Sequence, residues 1–274
     1  MPNPVFNEET MKRDANGWAA PVQGTQSDTQ PATDGPISGW QKAMTVNGTI
    51  SASAVLLILL IVTGVFGWNA ADGPTVETAG GEMVETYQFP PLAMLGIVLG
   101  FVAVIAAHFK PQYAKFLGPV YAIGYGFAVG AISKGYETWF DGIVLQAVMA
   151  TISVFAVMLF LYRTRIIKVT QRFRQVVITA TLGIMAMYLV SFVISLFGGS
   201  LPFINEPSLL GIGISVVICG VAAMNLALDF DFIEKGAKMG MPKDYEWVAA
   251  LGLVTTLVWL YLEMLRLLSL LQQR

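Results

Sequence analysis

Seven long apolar segments, almost free of charged residues, constrain this chain more than any other feature. Each has about the 17–25 residues that an α-helix needs to cross roughly 30 Å of hydrocarbon. The segments are residues 46–67, 91–109, 117–133, 142–162, 176–197, 209–230 and 248–271. The sequence therefore predicts an all-α membrane protein with seven transmembrane helices, embedded in a lipid bilayer.

The positive charges of the connecting segments alternate along the chain. Of the 16 Lys and Arg residues, 13 lie in the N-terminal segment and in the second, fourth and sixth connections. Cytoplasmic segments of membrane proteins carry an excess of Lys and Arg. We therefore expect a multi-pass protein with a cytoplasmic N-terminus and an external C-terminus.

Composition divides the chain and excludes several classes of function. Residues 1–40 are rich in Pro, Gly, Thr, Asn and Gln and are predicted to be a disordered cytoplasmic tail, whereas residues 41–274 form one transmembrane domain.

The net charge of −2 argues against a nucleic-acid partner. A single His and a single Cys leave too few ligands for a His/Cys zinc site. With no nucleophile elbow, phosphate loop or metalloprotease motif, we expect neither an enzyme nor a bound cofactor.

Pairs of small residues predict where helices pack closely. Gly96 and Gly100 are four residues apart in the second span, and Gly126 and Gly130 are four apart in the third. Such pairs share a helix face and let backbones approach in a membrane. The pattern favours tight packing of spans two and three.

Ionisable residues at membrane depth are the candidate functional groups, because they are costly there and usually face a bundle interior. The sixth span ends with Asn225, Asp229, Asp231 and Lys235. Asn225 and Asp229 share a helix face, as do Asp231 and Lys235. We predict that Asp229 faces inward with Asn225, while Asp231 pairs with Lys235 at the cytoplasmic surface. The alternative is that both acids merely mark the helix end near the headgroups.

Three further residues, all in the seventh span, are candidates for an ion pathway. Glu263 in the seventh span is expected about 15 Å further from the inner face than Asp229, by the helical rise, and to pair with Arg266. The polar residues of the seventh span nearest Asp229 in depth are Thr255 and Thr256.

His108 ends the second span near the inner level of Asp229. Histidine titrates near neutral pH. It is therefore either a switch that biases a nearby carboxylate or an anchor at the membrane interface.

Several stretches, taken together, resemble the Bax inhibitor-1/YccA family over nearly the whole chain from Thr45. The segments 3–6, 44–48 and 228–234 resemble its bacterial branch in particular, which implies a bacterial plasma membrane. The residues that carry the family resemblance are Leu117-Gly118-Pro119, Gly126, Gly130-Ala131-Ile132-Ser133, Gly142, Gln146-Ala147, Thr151 and Phe155.

The resemblance implies six helices around a central seventh and a pH-sensitive calcium leak gated by carboxylates on the last two helices. By position, the first carboxylate corresponds to Asp229, with Asp231 as second choice. The register of the second falls on Thr256, and Glu263 lies two turns away.

A hard cation such as Ca²⁺ takes six to eight oxygen ligands in tight sites. Asp229, Asn225 and threonine hydroxyls offer enough oxygen for a transient stop of Ca²⁺ at Asp229, and protonation would remove the charge. The competing hypothesis is an interaction protein that regulates a protease or a stress- or death-signalling partner without transport. It would act through residues 1–40, the basic connection 163–174 or a glycine-rich helix face.

Overall fold

The computed structural model describes residues 43–71, 73, 75–79, 82–197 and 207–274, with backbone alone for 75–79 and 82–86. The predicted tail, residues 1–40, lies outside these residues. Seven helices of the described chain are long and apolar enough to cross a membrane, which confirms the predicted fold class. They are α1 (Val46–Ala70), α2 (Pro91–Phe109), α3 (Ala114–Trp139), α4 (Ile143–Arg163), α5 (Gln171–Leu196), α6 (Leu209–Lys238) and α7 (Tyr245–Gln272).

Several helices are longer than the apolar segments from which they were predicted. α6 continues to Lys238, eight residues past the predicted end, and α3 runs to Trp139 rather than to residue 133. The added turns of α6 carry the pairs Asp231–Lys235 and Glu234–Lys238. Oppositely charged side chains four apart support a helix that has left the hydrocarbon. Hydropathy marks only the hydrocarbon-embedded part of each helix.

The connection between α1 and α2 contains a β-hairpin, which was not predicted. β1 (Thr75–Ala79) pairs antiparallel with β2 (Glu82–Thr86), with Ala79 opposite Glu82. The intervening sequence is Gly80-Gly81, a pair that favours a two-residue hairpin connection. A hairpin this short lacks the length of alternating pattern that would distinguish it from an irregular loop.

α7 is the central helix, as predicted. α1, α3, α4 and α6 all pack against it, and α2 touches it more lightly. Its buried residues point in several directions around the helix, and they include Leu251, Val254, Val258, Leu260 and Leu265. A helix that is apolar on all sides belongs in the interior of a bundle.

Glycines bring three helices of the bundle into backbone contact. Gly96 of α2 meets Gly124 of α3, so spans two and three pack tightly as predicted. The Gly126–Gly130 face of α3, however, lies against α1, where a Cβ on Gly130 would fall 1.9 Å from the carbonyl oxygen of Gly64. The small-residue spacing predicted close approach correctly but could not tell which neighbour occupied the face.

The N-terminal end of α1 is fixed to the connection between α6 and α7. The backbone N–H of Met44 donates to the carbonyl of Met241 over 2.7 Å. Glu246 Oε1 accepts from the backbone N–H and from the hydroxyl of Thr45, each over 2.9 Å. A carboxylate at a helix N-terminus satisfies otherwise unpaired N–H groups and complements the helix dipole. The N-terminal ends of the first and last helices are thereby joined.

α5 is packed far less than the other six helices. Val177 is its one buried residue, and its principal neighbour is α6. The other spans bury several residues each. α5 therefore lies at the edge of the bundle, held by only a narrow strip of its surface.

Candidate functional site

Asp229 lies between α6 and α7. Its Oδ2 atom is buried and has no hydrogen-bond partner among the described residues. Its Oδ1 is 3.7 Å from the position of a Cβ on Gly252, and its carboxyl group interacts with the side chain of Thr256. A buried carboxylate without a full set of partners is costly and needs a functional explanation.

Thr256 and Thr255 face different neighbours despite being adjacent. Thr256 is beside Asp229, whereas Thr255 interacts with the buried Tyr121 of α3. Each hydroxyl also donates to the carbonyl four residues earlier, over 3.1 Å and 2.8 Å respectively. Thr256, whose register corresponds to the family's second acid, is thus the threonine that meets Asp229.

Asn225 has a different neighbour from Asp229. Its Nδ2 atom donates to Thr181 Oγ1 of α5 over 2.8 Å and to the carbonyl of Val221 over 2.9 Å. Asp229 is directed to α7 instead. The two side chains lie one turn apart along α6 and reach into adjacent grooves.

Asp231 is buried, and two cations surround it. Its Oδ2 is 2.8 Å from Lys235 Nζ, which confirms the predicted contact, and 2.9 Å from Arg174 Nη2 of α5. The second cation was not predicted, because its sequence position gives no indication of its distance from α6. Two cations satisfy Asp231, whereas no ion pair of the described residues involves Asp229.

Glu263 is buried in a separate cluster toward the C-terminal end of α7. Tyr188 of α5 donates to Glu263 Oε1, Arg266 Nη1 donates to Tyr188 Oη over 2.7 Å, and Arg266 lies 3.7 Å from Glu263 Oε2. The Glu263–Arg266 pair was predicted. Glu263 lies seven residues, or about 10 Å, along α7 from Thr256, so its carboxylate and that of Asp229 occupy distinct depths.

His108 lies apart from these groups. It is exposed at the end of α2, whose main neighbour is α3, and its ring makes an edge contact with Phe109 at 6.0 Å between centroids. Among the described residues, no three His, Cys, Asp or Glu side chains come together as a metal site.

A lateral cleft of about 1020 Å³ runs between α1 and α4, with α3 and α7 behind it. Its wall is chiefly apolar, and it contains the hydroxyls of Ser53, Ser133, Thr151 and Tyr261. Ile233 and Leu253 also line it; they lie one turn after Asp229 and next to Gly252. Asp229 itself is not among the residues that line the cleft.

Three residues of α5 were missed by sequence reasoning, namely Arg174, Thr181 and Tyr188. They are spaced seven residues apart and so share one face of the helix. The spacing is visible in the sequence and is the signal that could have revealed them. Hydropathy alone concealed it, because α5 is otherwise an ordinary apolar span.

Comparison with known proteins agrees with this architecture. A family model described as Bax inhibitor 1 like matches residues 3–273, nearly the whole chain. Neither a curated protein nor a solved structure matches significantly. The chain therefore belongs to the Bax inhibitor 1 like family.

Proposed function

We propose that this protein is a cation leak across its membrane, with Ca²⁺ as a permeant ion and Asp229 as the group that attracts it. No catalytic step or bound cofactor forms part of the proposal. Family membership and the seven-helix fold support it. The single observation that carries it is the buried Oδ2 of Asp229, which lacks a hydrogen-bond partner among the described residues.

The position of Asp229 along α6 supports a role in permeation. It lies one residue before the end of the apolar segment 209–230, where α6 leaves the hydrocarbon and water can reach the helix. Asp231 and Glu263 have cationic partners, so an arriving cation would compete with Lys or Arg for them. Asp229 offers a negative charge without such a competitor among the described ion pairs.

The described conformation is a closed form in this proposal. Ile233 and Leu253 line the lateral cleft, Asp229 does not, and the cleft itself is mostly apolar. Cations require water or protein oxygen along their route, because the hydrocarbon offers neither. Opening must therefore bring water to Asp229 and Asn225.

Proton binding gives the proposed leak its pH dependence. A protonated Asp229 carries no charge and cannot attract Ca²⁺ electrostatically. We expect flux to fall as the medium becomes acid, and Asp229→Asn to reproduce the low-flux state at every pH.

The test is Ca²⁺ uptake into proteoliposomes across a pH series. Asp229→Asn should abolish the protein-dependent uptake and its pH response, whereas the matched substitution Asp244→Asn, outside the membrane, should retain both. Equal uptake and equal pH response in wild type and Asp229→Asn would refute the proposal.

The same proposal places the N-terminus in the cytoplasm of a bacterial cell and the C-terminus outside. The distribution of Lys and Arg supports this orientation. Labelling single cysteines at Gln273 and in the tail from either side of the membrane would test it.

Regulation of a membrane protease or a stress-signalling partner is the second candidate function. Arg163, Arg165, Lys168 and Arg172 are exposed in the basic connection and favour it. The glycine faces of α2 and α3 are used within the bundle and support it less. A partner that co-purifies with the wild type and with Asp229→Asn, but not after charge reversal at these four positions, would favour this candidate.

A further inference from the structure

We propose that the cation route runs along the α5 seam and that α5 moves to open it. The seam is the contact of Arg174, Thr181 and Tyr188 of α5 with Asp231, Asn225, Glu263 and Arg266 of α6 and α7. This inference rests on the proposed leak and adds the path and the moving element.

Polar contacts follow the seam through the depth of the membrane. From the inner face outward, Arg174 meets Asp231 at 2.9 Å, Thr181 meets Asn225 at 2.8 Å, and Tyr188 meets Glu263 and Arg266. α5 and α6 are antiparallel. Residues later in α5 therefore contact residues earlier in α6. The three contacts lie about 10 Å apart along α5, by the helical rise, and the fully buried Val177 lies between the first two. Polar side chains at membrane depth are typical of an ion or proton path.

Apolar packing adds little to hold α5 in place. Val177 is the one buried residue of α5. The opposite side of the helix carries exposed apolar side chains that would face lipid, among them Leu182, Met185 and Leu189. Helices associate in membranes through close packing and interhelical hydrogen bonds. α5 lacks the glycine contacts that fix α2 and α3 to their neighbours, so its polar contacts are the principal attachment.

Water can replace these polar contacts at low cost. A hydrogen bond between side chains contributes only modestly when water offers the same groups an alternative. Separation of α5 from α6 would hydrate Thr181 and Asn225, and Asp229 is one turn from Asn225 on the same helix. In the open route, the Thr181 hydroxyl and the Asn225 amide would offer oxygen to the cation, whereas Asp231 and Glu263 keep Lys235 and Arg266 as partners.

Cysteine accessibility tests the seam without any measurement of flux. In a Cys219→Ala background, which removes the only native thiol, Thr181→Cys is exposed to a charged, membrane-impermeant methanethiosulfonate. Leu182→Cys on the lipid face is the matched control. We expect Thr181→Cys to react and Leu182→Cys to stay unmodified.

Loosening the attachment should increase that reaction. Tyr188→Phe keeps the ring and removes the hydroxyl that meets Glu263 and Arg266, so Thr181→Cys should react about tenfold faster, equivalent to about 1.4 kcal/mol. Arg174→Gln is a second variant at the other end of the seam and should act in the same direction. Thr181→Cys that reacts no faster than Leu182→Cys, or rates unchanged in both variants of folded protein, would overturn the proposal.

Crosslinking α5 to α6 tests whether opening of the seam is needed for Ca²⁺ uptake. Thr181→Cys/Asn225→Cys is assayed before and after treatment with a short bifunctional thiol reagent, with each single variant treated in parallel. We expect Ca²⁺ uptake to fall severalfold only in the crosslinked double variant. If Asp229→Asn abolishes uptake but the crosslink leaves it unchanged, the seam route fails while the leak stands. If Thr181→Cys reacts but Asp229→Asn leaves uptake unchanged, the leak mechanism fails instead.

Discussion

The carboxylate of Asp229 faces Gly252 across the α6–α7 interface. A Cβ on Gly252 would lie 3.7 Å from Asp229 Oδ1, which is ordinary van der Waals contact. The glycine therefore leaves space beside the carboxylate that a methyl group could fill without displacing it. This geometry allows the surroundings of Asp229 to be changed while its charge and position are kept.

Gly252→Ala is expected to preserve folding and lower Ca²⁺ uptake. Alanine is favoured over glycine in a helix by up to about 1 kcal/mol, so thermal stability should be equal or slightly higher. The methyl group occupies space that water or an ion would need beside Asp229. Uptake into proteoliposomes and thermal unfolding in detergent measure the two effects separately.

Gly220→Ala is the matched control for that substitution. Gly220 also lies within a long helix, α6, and nothing is within 4 Å of its Cβ position. The same gain in helix propensity should appear with no loss of uptake. Equal loss of uptake in both variants would show that the Gly252 effect is not local to Asp229.

Gly130→Ala is expected to destabilise the bundle by about 1–3 kcal/mol, the usual cost of overpacking. Its Cβ would fall 1.9 Å from the carbonyl oxygen of Gly64, a backbone atom that cannot rotate away. Gly183→Ala on α5, where the Cβ position is open, should change stability little. Thermal unfolding in one detergent compares the pair, and equal unfolding temperatures would contradict the close approach of α1 and α3.

Glu246→Ala should weaken the attachment of α1 to α7 by about 1–3 kcal/mol, because it leaves the Thr45 N–H without its partner. Asp244, two residues earlier, has no capping hydrogen bond from its side chain. Asp244→Ala is therefore the control and should have a much smaller effect. Hydrogen exchange of the first turn of α1 reports the loss directly, and protection unchanged in Glu246→Ala would rule the attachment out as a stabilising contact.

Sequence reasoning predicted the helices well and their neighbours poorly. The seven spans follow from apolar length alone, and the pairs Asp231–Lys235 and Glu263–Arg266 follow from helical spacing. Contacts between helices depend on rotation and order in the bundle, which no local pattern specifies. Arg174 on Asp231 and Tyr188 on Glu263 were missed for this reason.

The two cations on Asp231 should act as partial substitutes for each other. Asp231 is 8% exposed, whereas Arg174 and Lys235 are 44% and 50% exposed, so either cation alone can neutralise it at modest cost. We expect Arg174→Met or Lys235→Met singly to cost about 0.2–1 kcal/mol, the range of exposed ion pairs. The double variant should cost more than the sum, because it leaves a buried carboxylate without a cation. Adding Asp231→Asn to the double variant should recover stability. A double-mutant cycle from denaturant unfolding measures the coupling, and strictly additive losses would show that the two cations act independently of Asp231.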